Sequence, residues 1–193
     1  MGQLITWAYK IPPILISNPQ VIGQDRYDIV ATADGPAKTE QMRIMMQSLL
    51  AERFKLSIRK DTKEMQVFAL VEAKGGHKLV ESKEADGVGV TPMTGKMGLS
   101  AKHATLDLLT MYLSQPLRTP VIDMTGLKGR YDFEFDISQF VPMSREPQDE
   151  SRPSPEFILQ SLLPKQLGLR LESRKMPIEV FFIERIEKIP VEN

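Results

Sequence analysis

The chain contains no cysteine. Disulfides, thiolate nucleophiles and cysteine-ligated metals are therefore excluded together, while the compartment stays open, because a cysteine-free chain tolerates oxidising and reducing surroundings alike. Histidine is scarce: His77 and His103 are the only two. A hydrolase triad needs a histidine within reach of a nucleophile and an orienting acid. No Gly-x-Ser-x-Gly elbow supports one. There is no His-x-x-x-His and no calcium-loop pattern either. Charge of one sign is also lacking, with 25 Lys+Arg against 25 Asp+Glu. Nucleic acid is thus not an expected partner, since phosphate binding needs a cationic surplus. No apolar run approaches the roughly 18 residues that span a bilayer, so no membrane span is expected. Met1 to Lys10 has no basic segment ahead of an apolar core, and no signal peptide is expected in the chain as written.

What is present is ordinary globular composition, 193 residues with 41% hydrophobic and 26% charged, enough for one large domain or two small lobes. The organising feature is a repeat. Gln47-Ser48-Leu49-Leu50 returns as Gln160-Ser161-Leu162-Leu163, and at the same offset Leu56 meets Leu169, Val67 meets Val180 and Phe68 meets Phe181. Upstream, Arg26-Tyr27-Asp28-Ile29 returns as Arg130-Tyr131-Asp132-Phe133. Two matches in the same order point to a duplicated unit.

Apolar periodicity places the elements. Leu4, Ile5, Ala8 and Tyr9 suggest a short helix that stops before Pro12-Pro13. Residues 26–33 alternate as a half-buried strand, with Tyr27, Ile29 and Ala31 inward. Thr39 is the expected N-cap of a helix over about 40–53, with Met42, Met45, Met46, Leu49 and Leu50 as its apolar stripe. A strand follows at Leu56–Arg59. After a turn near Asp61–Lys63 comes a central strand, Met65–Val71, apolar on both faces. Residues 83–95 read as a linker. Met97–His103 is extended, and Thr105 caps a helix with Leu106, Leu109 and Leu113 inward. Pro120–Ile122 is short and extended, 123–129 is a turn, and 129–137 is a strand with Tyr131, Phe133, Phe135 and Ile137 on one face. A mobile loop is expected at about 138–154, centred on a Pro- and charge-rich stretch. Ser154-Pro155 opens the last helix, which Pro164 should end or kink early. Strands at Leu169–Ser173 and Ile178–Ile186 close the chain.

The predicted fold is α+β: two similar repeated lobes, each a small, mainly antiparallel sheet with helices packed on one face. The first lobe spans 1–82, the linker 83–95 and the second lobe 96–193. The first lobe lacks a counterpart of Met97–His103. Either the fold does without that strand, or the N-terminus has been shortened. An unpaired edge is then expected in the N-terminal lobe, open to weak self-association or to a partner strand.

Candidate chemistry is thin. His77 follows Gly75-Gly76 and should sit exposed in a turn, while His103 ends a strand. Gly75-Gly76 is no phosphate loop, because no Gly-Lys-Ser/Thr follows. In both Arg-Tyr-Asp motifs the period-2 pattern puts Tyr inward and leaves Arg and Asp as a weak surface pair. Asp123-Met124-Thr125-Gly126 resembles an aspartic protease loop, but Met124 separates the Asp from the Thr, and turn chemistry accounts for all four residues. The methionines read as core filler. No residue is assigned as catalytic, cofactor-binding or metal-ligating, and no cofactor is expected.

Four stretches carry a family resemblance: Asp25 to Ala31, Leu49 to Leu56, Ala73-Lys74-Gly75-Gly76, and Val121 to Phe133 with its Asp123-Met124-Thr125-Gly126-Leu127-Lys128-Gly129-Arg130-Tyr131-Asp132 core. The chain resembles the "soil-associated protein" family, a bacterial domain family of unknown function. Members of that family usually carry a signal peptide and an extra N-terminal segment. In some, a similar domain follows a membrane-embedded metallopeptidase of the antibiotic-sensor type. The resemblance implies an extracytoplasmic (periplasmic or secreted) binding or protein-interaction role, without catalytic residues to carry over. The helix-plus-hairpin units also resemble the short N-terminal domains of secretins and TonB-dependent receptors. Three functional expectations stand: a non-enzymatic binding or interaction module for an unknown protein or small ligand, a hydrolase-like enzyme with a site between the lobes, and an assembly domain pairing through strand edges.

Overall fold

The computed structural model describes residues 1–23, 26–30, 35, 37–83, 89–141 and 153–189. Along the chain it forms α1 (Gly2–Tyr9), two 3-10 turns (Pro13–Leu15 and Pro19–Ile22), α2 (Thr39–Phe54), β1 (Ser57–Glu72), β2 (Val80–Glu81), β3 (Gly89–Pro92), β4 (Gly98–Ala104), α3 (Leu106–Leu117), β5 (Val121–Asp123), β6 (Tyr131–Asp136), α4 (Pro155–Gln166) and β7 (Leu169–Arg185). The strands make two sheets, ordered β5-β1-β7 and β2-β6-β4-β3. The fold is α+β. By packing, the chain divides into two units, Met1–Met65 with Pro177–Asn193, and Gln66–Met176.

In the first unit, α1 buries Ile5 and Ala8 and closes on Lys10 in the left-handed conformation. α2 is built from strong helix formers, Met, Leu, Gln, Glu, Arg and Ala. Its N-cap is Lys38, not the expected Thr39, and the Gln41 side chain accepts a hydrogen bond from the Lys38 backbone N–H at 2.9 Å. The expected inward stripe is only partly inward. Leu50 and Phe54 are buried, Met46 and Leu49 pack at the margin, and Met42 and Met45 are exposed. Residues 26–30 keep the expected alternation, Tyr27 and Ile29 in and Arg26, Asp28 and Val30 out, but they form no strand. Tyr27 is held instead by its ring edge against Phe54 at 5.1 Å and by its hydroxyl donating to the Lys188 carbonyl at 2.7 Å. The rest of the expected strand, 31–33, lies outside the described residues.

β1 runs without the turn expected at Asp61–Lys63, and β7 without the break expected after Ser173. Cross-strand contacts explain how so charged a stretch stays extended. Ser57 meets Glu184 at 3.0 Å, Lys60 meets Glu179 at 3.0 Å and Gln66 meets Ser173 at 2.6 Å. Their opposite progression makes the pair antiparallel. Arg59 lies over Phe182 and Lys60 over Phe181, at 5.5 and 5.6 Å, so the basic stems cover the aromatic faces of β7.

The outer edge of β7 is not bare. Ile16 bridges Phe181 in parallel, and Ser17 N–H donates to the Phe181 carbonyl at 2.9 Å. The buried Asn18 side chain then satisfies both backbone groups of Ile183, each at 2.9 Å. Phe181 and Ile183 thus turn their backbone groups outward, and Pro177 shares their parity. Its missing N–H falls on the edge side, where proline is tolerated.

In the second unit, Val67, Phe68, Ala69 and Leu70 of β1 are buried, as a central strand requires. Phe68–Leu70 pair in parallel with Val121–Asp123 of β5. The β2-β6-β4-β3 sheet is antiparallel throughout, and β3 takes up part of the segment expected to be linker. Within α3, Leu106, Leu109 and Leu113 are buried as expected. The Ser114 hydroxyl donates to the Thr110 carbonyl at 2.7 Å and accepts from Val121 N–H at 2.9 Å, which ties α3 to β5. α4 starts at the expected cap, with Ser154 Oγ accepting from Phe157 N–H at 3.2 Å. Pro164 does not end the helix at its own position; the helix carries it in its last turn and runs on to Gln166. Of the expected mobile loop, residues 138–141 form a turn closed on the Ile137 carbonyl, and 142–152 lie outside the described residues.

Candidate functional site

The second unit carries a partly open apolar pocket of about 320 Å³. That is at the lower end of the ~300–1,000 Å³ range of small-molecule sites. α3 supplies Tyr112, Leu113 and Pro116, one turn apart on a single helix face. α4 supplies Pro155, Ile158 and Leu159, likewise within one turn of each other on one face. The sheet supplies Gly98 and Leu99 from β4 and Phe135 from β6, and the turn after β6 supplies Ile137 and Val141. A Cβ on Gly98 would lie 2.1 Å from the Phe135 carbonyl oxygen, so β4 can pass β6 here only without a side chain.

The wall at Ile137–Val141 is held from behind. Gln166 at the end of α4 accepts from Asp136 N–H at 2.8 Å and donates to the Asp136 carbonyl at 2.7 Å. That closes the β6 edge where β2 has stopped. The Asp136 carboxylate is bonded to Ser138 and ion-paired with Lys96 at 3.2 Å; these contacts, Ser138 first, hold its pKa down to about 2. Phe140 meets Phe157 edge-on at 6.0 Å, linking the turn to α4.

A second, polar grouping surrounds His103. This residue sits at the register shift of the β4–β6 ladder with a φ of 49°. The second Arg-Tyr-Asp motif clamps it. Arg130 donates to its carbonyl at 3.3 Å, and Asp132 accepts from its N–H at 2.8 Å. Arg130 and Asp132 therefore hold the bulge between them and do not form the surface pair expected from their spacing. The His103 amide is the main cause of a lowered Asp132 pKa. His103 Nδ1 lies 3.2 Å from Ser82 Oγ. The carboxylate also interacts with the Ser82 hydroxyl and, at 3.5 Å, with Lys102 Nζ, so Ser82 stands between acid and imidazole, and the order is not the nucleophile–histidine–acid order of a hydrolase triad. His77 is exposed, with its ring 5.8 Å from Tyr131, and among the described residues the two histidines share no partner.

The other motifs behave as turns. Asp123 Oδ1 accepts from Thr125 N–H and Oγ1 at 2.9 and 2.7 Å, and Thr125 Oγ1 accepts from Leu127 N–H at 3.1 Å. Gly129 is needed because a Cβ there would lie 2.8 Å from the Tyr131 hydroxyl. Gly75-Gly76 forms the turn from Ala73, with Gly76 N–H donating to the Ala73 carbonyl at 2.9 Å. Among the described residues, no three His, Asp or Glu side chains converge as metal ligands, and no helix is long and apolar enough to cross a membrane. Sequence reasoning missed the pocket, since its wall residues carry the same helical and alternating signals as core.

The chain belongs to a protein family of unknown function, DUF3738, whose model matches residues 2–186. No curated protein and no solved structure matches it significantly.

Proposed function

We propose that this family member is a non-enzymatic binding module acting outside the cytoplasm, and that its site is the pocket between α3, α4 and the β4–β6 face. One observation carries the reading: a preformed apolar pocket lined from α3, α4, β4, β6 and the turn after β6, braced by the Gln166–Asp136 contact. Sites for small molecules have this make-up. The extracytoplasmic part is supported by the resemblance to the soil-associated protein family, whose members usually carry a signal peptide. The enzymatic alternative has little support, because the His103 grouping lacks an acid on the imidazole. Pairing through the N-terminal edge has less support than the sequence suggested, because Ile16–Asn18 already occupy the β7 edge at Phe181–Ile183. The test is titration with small neutral apolar compounds, naphthalene and decanol, followed by methyl NMR. Shifts should concentrate on Leu113, Ile137, Ile158 and Leu159 and should vanish in a Leu99→Trp variant that fills the cavity. Uniform shifts, or none at millimolar ligand, would refute the reading.

A further inference from the structure

The chemistry of the pocket wall narrows what it can hold. None of its lining residues is charged, and Tyr112 alone brings a polar side-chain group. A carboxylate or ammonium inside would lose its hydration with no opposite charge to replace it. Three charged residues adjoin the wall in sequence, Glu134, Asp136 and Glu156; of these, Asp136 is engaged by Ser138 and Lys96 and Glu156 by Gln160. Tyr112 is half-buried, and its hydroxyl has no hydrogen-bond partner among the described residues. A tyrosine at an apolar wall normally finds a partner for that group, and a phenol can both donate and accept. Size sets the remaining limit. The cavity, about 320 Å³, is roughly twice the ~150 Å³ apolar cavity that takes a single benzene ring.

Resting on the reading that this pocket is the binding site, we infer that its ligand class is a compact, uncharged molecule of about two rings bearing one hydroxyl or carbonyl group, which the Tyr112 hydroxyl recognises. Tyr112 then sets specificity, while Phe135, Ile158 and Leu159 supply contact area. A rigid two-ring body suits these walls, because it loses little freedom on entering.

Three probes of nearly equal shape test this: naphthalene, 1-naphthol and 1-naphthoate, each titrated at pH 7 into the full chain and into Tyr112→Phe, with binding read by calorimetry. In the wild type, 1-naphthol should bind about 3- to 10-fold tighter than naphthalene, the range of one net hydrogen bond. 1-Naphthoate should bind at least about 10-fold more weakly than 1-naphthol. In Tyr112→Phe the naphthol advantage should disappear while naphthalene binds as before, which shows that the pocket itself is intact. If naphthalene binds but naphthol gains nothing, if naphthoate equals naphthol, or if Tyr112→Phe leaves the advantage in place, the ligand class is wrong and the pocket reading survives. If none of the three binds, the pocket reading falls as well.

Discussion

Gly168→Ala is the sharpest test of how the second unit is assembled. Gly168 follows α4 with a φ of 65°. A Cβ there would lie 2.2 Å from the Gly76 carbonyl oxygen and 2.9 and 3.0 Å from the His77 Cα and C atoms. All three are backbone atoms, and they cannot drift away. Ala73 N–H donates to the Gly168 carbonyl at 2.9 Å, Lys78 N–H donates to the Leu167 carbonyl at 2.8 Å, and Lys78 Nζ reaches the Lys165 carbonyl at 2.7 Å. The left-handed conformation costs a side chain about 1–2 kcal/mol. Forcing apart a packed contact adds about 1–3 kcal/mol. Together the loss is about 2–5 kcal/mol, to be read from urea unfolding followed by circular dichroism. Lys55 provides the control, with a similar φ of 49° at the end of α2 on the exposed surface. Lys55→Gly should stabilise by about 1 kcal/mol, since only the conformational term is present. A Gly168→Ala loss below 1 kcal/mol would show that the Ala73–Lys78 turn does not clamp the end of α4.

Asn18→Ala removes the donor and the acceptor that satisfy Ile183. It should cost about 2–4 kcal/mol in the same unfolding experiment and should promote concentration-dependent association by sedimentation, because it bares the β7 edge; an unchanged monomer of unchanged stability would show that the edge is covered by other means. Asp136 carries a pH signature. Its folded pKa, about 2 against an ordinary 3.8, is depressed, so its contribution is complete above about pH 4 and is lost as pH falls from there toward 2. Asp136→Asn should flatten that part of the wild-type stability profile, and two parallel profiles would remove Asp136 from the acid response.

The helices and buried strands were legible because their periodicity reports burial directly. Leu106, Leu109 and Leu113 face inward where 3–4 spacing puts them, and Tyr131, Phe133 and Phe135 where period 2 puts them. What failed was punctuation. Asp61–Lys63 reads as a turn by composition, yet Lys60–Glu179 and the cation–aromatic contacts carry β1 straight past it. Residues 26–30 read as a strand by alternation, yet among the described residues no neighbour offers a ladder, and Tyr27 is held by its side chain against Phe54 and the Lys188 carbonyl. Cross-strand partners far off in sequence decided both cases, and local propensity does not contain them. The lobes expected from the sequence matches and the packing units are also different divisions of the chain. Matched positions do share roles: Leu50 and Leu163 are fully buried, Leu56 and Leu169 are buried, and Lys55 and Gly168 both take positive φ. Other matched positions differ: Phe68 is buried and Phe181 only half-buried, and residues 26–30 form no strand where Tyr131–Asp136 do. The packing boundaries, at 65/66 and 176/177, instead fall inside β1 and β7.

The pocket was illegible for a related reason: an apolar residue on an inward face has the same signature whether it meets another side chain or a gap. The gap comes from the few wall positions that do not fill their share of space. Pro116 and Pro155 present short, rigid rings where α3 and α4 otherwise carry leucine and isoleucine. Gly98 presents nothing, and it cannot be replaced, because any Cβ would strike the Phe135 carbonyl and come within 3.0 Å of Met93 Sδ. The β4–β6 pairing therefore forbids the simplest way of closing the cavity from the sheet side. Filling it must come from longer side chains at Leu99, Ile158 or Leu159, where the backbone sets no such limit. A cavity that the strand register itself keeps open differs from loose packing, which a neighbouring side chain can relax into. That distinction is why a filling variant at Leu99 separates a binding site from an accident of packing.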